Sequence, residues 1–191
     1  MATGLSNIAI ERVEVSAYTV PTDFPESDGT LEWDSTTMVL VEATAGGMRG
    51  LGYTYADTAT ARLIRDRLAE VARGRGAMAV NGAWAAMIHV IRNLGRPGVV
   101  SMAVAAVDSG LWDLKAKLLN LPFGALLGAT HEGVPAYGSG GFTSYSIAQL
   151  QKQLSDWVSD GIRMVKMKDG RNPDDDVARV RAARQAIGPE V

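Results

Sequence analysis

The sequence predicts an α+β domain, an antiparallel meander with helices, followed by the first βα units of a parallel sheet. Three observations carry this reading. β-rich runs separated by glycine turns occupy the chain up to Tyr55, helical periodicity runs from Thr58 to Leu119, and strand and helix patterns alternate strictly after Gly128. The division expected is residues 1–128 and 129–191.

Apolar and polar residues partly alternate from Ile8 to Val20 (Ile8, Ile10, Val13, Val15, Ala17), as in a half-buried strand. Met38–Ala43 is a second β-rich run ending at Gly46-Gly47, and Leu51–Tyr55 a third behind a Gly-Met-Arg-Gly turn, where Gly50 and Gly52 supply permissive backbone. Between the first two lies 21–37, rich in Asp, Glu, Thr, Ser and Pro and far longer than a tight hairpin needs. A long loop in a domain of this size is expected to be a functional lid or a mobile surface excursion. Ala61, Ile64, Leu68 and Val71 recur at helical spacing, a second helix is expected over Trp84–Leu94, and a third over Ser101–Leu119. In the third, Val104, Val107, Leu111, Leu114 and Leu118 form one stripe behind a Ser101 cap. Pro122 and Gly128 bracket a short helical turn.

In the alternating part, Val134–Gly138 reads as a strand and Ile147–Ser159 as an amphipathic helix with Leu150, Leu154 and Trp157 inward, stopped at Gly161. Ile162–Lys168 reads as a second strand. Asp174–Ile187 reads as a second helix, with Asp174, Asp175 and Asp176 offsetting its dipole and Gly188-Pro189 ending it.

Composition excludes several classes. The 191 residues are 47% apolar, enough for a buried core, and a net charge of −2 with dispersed lysines and arginines offers no phosphate-binding stripe, so nucleic acid is not expected as a partner. There is no cysteine for a disulfide, a thiolate zinc site or a nucleophile. His89 and His131 lie far apart and read as structural groups, as do Asp108, Asp113 and Lys117 on the long helix. Met1–Val20 carries Glu11, Arg12 and Glu14 in what should be its apolar part, so neither a signal peptide nor a membrane span is expected and a cytoplasmic location is the default.

Lys166 and Lys168, two residues apart on a strand, project to one face with Cα atoms roughly 6–7 Å apart. Val165 and Met167 then take the helix-covered face. Two ammonium groups that close repel by roughly 2–3 kcal/mol at an effective dielectric near 20, which favours loss of one proton and makes a candidate general base. As a bare tripeptide, Lys-x-Lys also reads as a solvated strand edge.

The surrounding motifs weigh against that plain reading. Ala103-Val104-Ala105-Ala106-Val107-Asp108-Ser109-Gly110-Leu111-Trp112-Asp113-Leu114-Lys115-Ala116-Lys117, then Leu121-Pro122-Phe123 and Leu126-Leu127-Gly128, resemble the helix and exit turn leading from the N-terminal capping domain into the barrel in the mandelate racemase/muconate-lactonizing enzymes of the enolase superfamily. Val134-Pro135-Ala136-Tyr137 resembles that family's first barrel strand and Gly161–Lys168 its second. The motifs occur in the family's order and spacing.

The resemblance implies the first βα units of a modified (β/α)₈ TIM barrel, incomplete in this chain, with active-site residues at the C-terminal ends of its strands. It implies an enzyme, a lyase or isomerase that abstracts the proton α to a carboxylate and passes through an enediolate stabilised by Mg²⁺; a Lys or His base with Mg²⁺ is this superfamily's general solution. Lys168 is then the base and Lys166 its charged neighbour. Ser139 matches a substrate-contacting position, and 21–37 matches the mobile loop that shapes specificity. If that loop is a lid, Glu32, Trp33 and Asp34, with Asp28, suit the hydroxyls of a sugar acid. Acid-sugar dehydration is the leading expectation. The alternatives are a racemase/epimerase or cycloisomerase of the same family, and a non-catalytic fragment acting through protein contacts. Asp169 and Tyr53 depart from the family pattern.

No metal ligand is expected in this chain; the acidic ligands are expected on strands beyond Val191. Two of eight strands cannot close a barrel, so the chain alone is expected to be inactive, to leave strand edges unpaired and to leave Leu150, Leu154 and Trp157 uncovered. The complete protein is expected to be a homo-oligomer taking a small carboxylate.

Overall fold

The computed structural model describes residues 8–191, so the start of the Met1–Val20 stretch lies outside the described residues. The chain divides into two units, residues 1–20 with 37–130, and residues 21–36 with 131–191.

The antiparallel sheet has three strands, β1 (Arg12–Ser27), β2 (Glu32–Ala45) and β3 (Met48–Tyr55), in the order β1-β2-β3; the first unit holds β1 up to Val20, β2 from Thr37, and all of β3. The β2–β3 pairing runs from Met38↔Tyr55 to Ala45↔Met48, so the connection is Gly46-Gly47 alone. Both glycines have positive φ, 54° and 74°. A two-residue turn of that kind matches the twist of its strands, which is why β3 begins at Met48 and not at Leu51 as expected. Val39, Val41, Ala43 and Ala45 line one face of β2 and are fully buried.

A helical run follows, α1 (Thr58–Leu63), a π-helical turn (Ile64–Leu68) and α2 (Ala69–Ala72), opened by Asp57, whose carboxylate accepts from the Ala59 amide at 2.7 Å. Then come α3 (Val80–Val90), α4 (Val99–Leu118) and the short α5 (Phe123–Leu126). The α4 stripe lies as expected, with Val104, Val107, Leu111 and Leu114 buried. The Ser101 cap does not: the helix starts at Val99 with Gly98, φ 75°, at its N-cap, and the Ser101 hydroxyl donates to the Arg96 carbonyl. Gly50 and Gly52 serve packing more than conformation, because a Cβ on either would run into the α4 backbone at Gly110 and Ala106.

On the outer edge of β3 the Leu51 amide donates to the Asp113 carboxylate at 2.7 Å and the Arg49 carbonyl accepts from the Lys117 ammonium at 2.9 Å. His89 is exposed on α3 and His131 is exposed after α5. No helix among the described residues is long and apolar enough to cross a membrane.

In the second unit, β4 (Gly138–Ser139) and β5 (Val165–Lys166) pair in parallel, Gly138 with Val165 and Ser139 with Lys166. Both are far shorter than the expected Val134–Gly138 and Ile162–Lys168. A strand exists where it is paired, and 134–137 precede the paired register, with Pro135 lacking a donor and Val134 83% exposed. Helices α6 (Ile147–Ser159) and α7 (Pro173–Ile187) pack together on this pair. A reciprocal cap, Ser146 with Gln149, opens α6, and Pro173 occupies the first turn of α7. Leu150 and Leu154 are fully buried with Ala183, and Trp157 is partly buried, so the expectation that these side chains would be uncovered is corrected. The reason is α7, which covers α6 within the same unit.

The stretch 21–37 is likewise not a long loop. Its two arms are the distal ends of β1 and β2, joined by a turn over Asp28–Leu31 in which the Asp28 amide donates to the Leu31 carbonyl at 3.0 Å. The Asp28 Oδ1 caps the turn, accepting from the Thr30 and Leu31 amides at 2.7 and 2.9 Å.

Candidate active site

Strand β5 sorts its side chains by alternation. Val165 and Met167 pack on the Leu150/Leu154 cluster, so Lys166 and Lys168 take the opposite side, Lys166 exposed and Lys168 half-buried. The parallel ladder reaches past the named strands: the Gly138 amide donates to the Met164 carbonyl at 2.9 Å, Gly140 to Lys166 at 3.1 Å and Lys168 to Gly141 at 3.0 Å. In a regular parallel ladder the Lys168 amide would donate to the Gly140 carbonyl, and its shift to Gly141 puts one extra residue on the β4 side. That slip is a bulge at Gly140-Gly141, where Gly141 has φ 57° and a Cβ would lie 2.6 Å from that of Met167. Ser139 is exposed, directly opposite Lys166 in the ladder.

The hairpin tip is tied to the segments that follow both strands. The Thr143 amide donates to the Ser27 carbonyl at 2.9 Å, and the Ser144 hydroxyl donates to the Pro25 carbonyl at 2.6 Å. The Thr143 hydroxyl donates to the Asp28 carbonyl at 2.9 Å and lies 2.6 Å from that of Ser27, which must therefore be the donor in that contact. After β5, the Arg171 guanidinium pairs with Glu32 at 2.8 Å, and Gly29 abuts the Asp169-Gly170 backbone so closely that a Cβ would lie 2.8 Å from the Asp169 carbonyl oxygen.

The sequence-predicted lid residues separate here. Glu32 reaches Arg171. The Trp33 indole N–H donates to Glu26 at 2.7 Å while its ring meets Phe142 edge-on, centroids 5.6 Å apart. Asp34 is exposed, its carboxylate taking one bond, from the neighbouring Ser35 hydroxyl, and it joins neither loop.

Asp28 stands at the head of the turn. Its carboxyl is held below the ordinary range by the Leu31 amide first, then by the Thr30 amide and hydroxyl, with the Lys168 charge adding to the effect against a contribution from burial. The sequence named Asp28 among the acidic residues of 21–37, and its Asp-Gly-Thr composition marks a turn and not its neighbour. Tyr145, edge-on to both Phe24 and Phe142, is pushed up by burial and by the carboxylates of Glu26 and Asp23.

Among the described residues no group of three or more His, Cys, Asp or Glu side chains is arranged to hold a metal ion. Asp174, Asp175 and Asp176 serve their helix: Asp176 accepts from the Gly170 amide at 3.0 Å and Asp175 from the Asn172 side chain at 2.6 Å.

Residues 12–128 match the model of the mandelate racemase / muconate lactonizing enzyme N-terminal domain. The chain belongs to this family. The matched range takes in most of the first unit together with the hairpin residues 21–36, and the likeness to relatives continues beyond it. Over 189 residues the chain is 32% identical to 3,6-anhydro-alpha-L-galactonate cycloisomerase of Streptomyces coelicolor, covering 94% of this chain and 52% of that protein. The crystal structure of a mandelate racemase/muconate lactonizing enzyme-like protein from Rubrobacter xylanophilus superposes with a TM-score of 0.94 at 60% identity, covering 95% of this chain and 51% of that one. L-talarate/galactarate dehydratase from Salmonella typhimurium, crystallised with magnesium and L-lyxarohydroxamate, superposes with a TM-score of 0.85 at 27% identity over 98% of this chain and 51% of that one. The chain therefore spans about half the length of the relatives it matches. The Streptomyces coelicolor relative is a cycloisomerase and the Salmonella typhimurium relative a dehydratase, and the fold expected from the sequence, an antiparallel sheet with helices leading into a partial barrel, is the fold observed.

Proposed function

We propose that the protein, with a complete barrel, removes the proton α to the carboxylate of a sugar acid and expels a β-hydroxyl as water. The observation that carries this reading is that Lys166 and Lys168 share the side of β5 away from the helices, where the hairpin tip is tied to the segments following both strands. The Lys168 amine takes the α-proton. The C–H bonding pair moves into an enediolate, whose collapse expels the β-hydroxyl with a proton and leaves an enol that tautomerises to a 2-keto-3-deoxy acid. The Lys166 ammonium offsets the charge that develops on the carboxylate, and the Ser139 hydroxyl, its ladder partner, is available to substrate oxygen. The hairpin closes the site as a lid and presents the acceptors Asp28 and Glu32 to substrate hydroxyls. The Salmonella typhimurium dehydratase binds magnesium, but the described residues of this chain do not fit a magnesium site, and no step is assigned to the metal.

A cycloisomerase shares the proton-abstraction half of this reaction, and the 32% identity to the Streptomyces coelicolor enzyme favours it as the second reading. Solvent exchange tests the shared step and the product separates the two. With acid sugars in D₂O, the protein should exchange the α-proton and Lys168→Met should abolish exchange on the face that lysine serves. A dehydratase then yields a product lighter by one water, and a cycloisomerase one of unchanged mass. Unaltered exchange in Lys168→Met removes Lys168 from the mechanism.

A further inference from the structure

We propose that Arg179, on α7, is the positioning residue that keeps the segment after β4 in the form that receives the hairpin. Arginine is seldom buried without a carboxylate partner, yet Arg179 is only 8% exposed and pairs with no acidic side chain among the described residues. Its planar fork is spent on two backbone carbonyls. Nη1 donates to the Tyr145 oxygen and Nη2 to the Phe142 oxygen, both at 2.8 Å, while Nε is buried without a partner. Bonds of this charge-assisted kind fix geometry as well as adding stability, and the fork spans two acceptors where a lysine ammonium is a single point.

The two clamped residues flank Thr143 and Ser144, and these four make the hairpin contacts of this segment. Thr143 gives its amide to Ser27 and its hydroxyl to Asp28, Ser144 gives its hydroxyl to Pro25, Phe142 meets the Trp33 ring, and Tyr145 meets the Phe24 ring. With the Phe142 and Tyr145 carbonyls released, the hydroxyls between them lose the backbone that aims them. The Arg171–Glu32 pair is separate and, being largely exposed, does not substitute for the clamp.

Amide exchange on the 191-residue chain tests this without any assay of turnover. In Arg179→Met the Thr143 amide should exchange at least tenfold faster while the Leu154 amide of α6 keeps its protection, and Arg179→Lys should fall between that variant and the parent. Thr143→Val, which leaves Arg179 untouched, should loosen Trp33 against Phe142 to a similar degree. The proposal is overturned if Thr143 exchange is unchanged in Arg179→Met, if Leu154 is exposed as strongly as Thr143, or if Arg179→Lys equals the parent. Should Arg179→Met not fold, the Lys and Thr143→Val variants decide. The kinetic consequence alone rests on the lid reading above. In the protein with a complete barrel Arg179→Lys should raise KM more than it lowers kcat, and loosened exchange with an unchanged KM would leave the clamp standing and sink the lid.

Discussion

Replacing Gly29 by alanine should undock the hairpin tip without unfolding anything else. The added Cβ would sit 2.8 Å from the Asp169 carbonyl oxygen and 3.4 Å from the Gly170 carbonyl carbon. The first distance is about 0.5 Å short of an ordinary van der Waals contact. Both obstacles are backbone, which cannot rotate away as a side chain would. Gly29 does not need a left-handed conformation, so the substitution acts through contact alone. Overpacking of this kind costs about 1–3 kcal/mol where the structure holds its place, which is roughly a 5- to 150-fold shift toward the undocked form. Undocking breaks the Thr143 bonds to Ser27 and Asp28 and parts Glu32 from Arg171. Exchange of the Thr143 amide and the fluorescence of Trp33 against Phe142 read the change directly, with Gly133→Ala, which meets nothing within 4 Å, as control. A Gly29→Ala chain with parental Thr143 exchange and Trp33 emission would refute the reasoning, because the tip would then tolerate a methyl group where the geometry allows none.

Asp28 gives a pH dependence of definite sign. Its pKa is depressed in the fold, so its contribution is complete above the unfolded carboxylate value near 3.9 and is lost as pH falls through the lower folded value. The Thr30 and Leu31 amides should hold their protection from neutral pH to about 4 and lose it below, and Asp28→Asn should flatten that acid limb. Asp108 on α4 behaves oppositely, since burial raises its pKa and the charged form destabilises the fold once pH exceeds the folded value. Asp108→Asn should therefore raise the thermal midpoint at pH 7 and change it little at pH 3; a lower midpoint at pH 7 would show that the carboxylate has a favourable partner. Leu154→Ala should cost about 2–5 kcal/mol, because the side chain is fully buried between α6 and α7, and urea unfolding of the second unit would measure it.

The elements most legible in the sequence were those whose determinants are local. Helix α6 was read with its observed limits because its apolar stripe and the glycine stop at Gly161 all lie within its own stretch. The side of β5 that Lys166 and Lys168 take was legible for the same reason, since Val165 and Met167 announce the buried face between them. The hairpin arms were not. Their Thr, Ser, Asp and Glu residues lack an apolar alternation because each arm is paired chiefly with the other, and pairing between arms leaves no pattern along either one. The extents of β4 and β5 were overestimated because a strand ends where its partner ends, which periodicity does not record. Arg179 acquires its role from residues more than thirty positions away, and no spacing rule reaches that far.

The Asp113 and Lys117 contacts to β3 bear on what this sheet can recruit. A strand that joins a sheet must find free donors and acceptors along an edge, and on this edge the Leu51 amide and the Arg49 carbonyl are already engaged by the helix that packs on it. A peptide or a misfolded second copy arriving there would have to strip two charge-assisted bonds before forming its first. Sheet extension is thereby discouraged on the β3 side by the side chains of α4, a guard that would vanish with the double substitution Asp113→Ala and Lys117→Ala while leaving the apolar stripe of that helix intact.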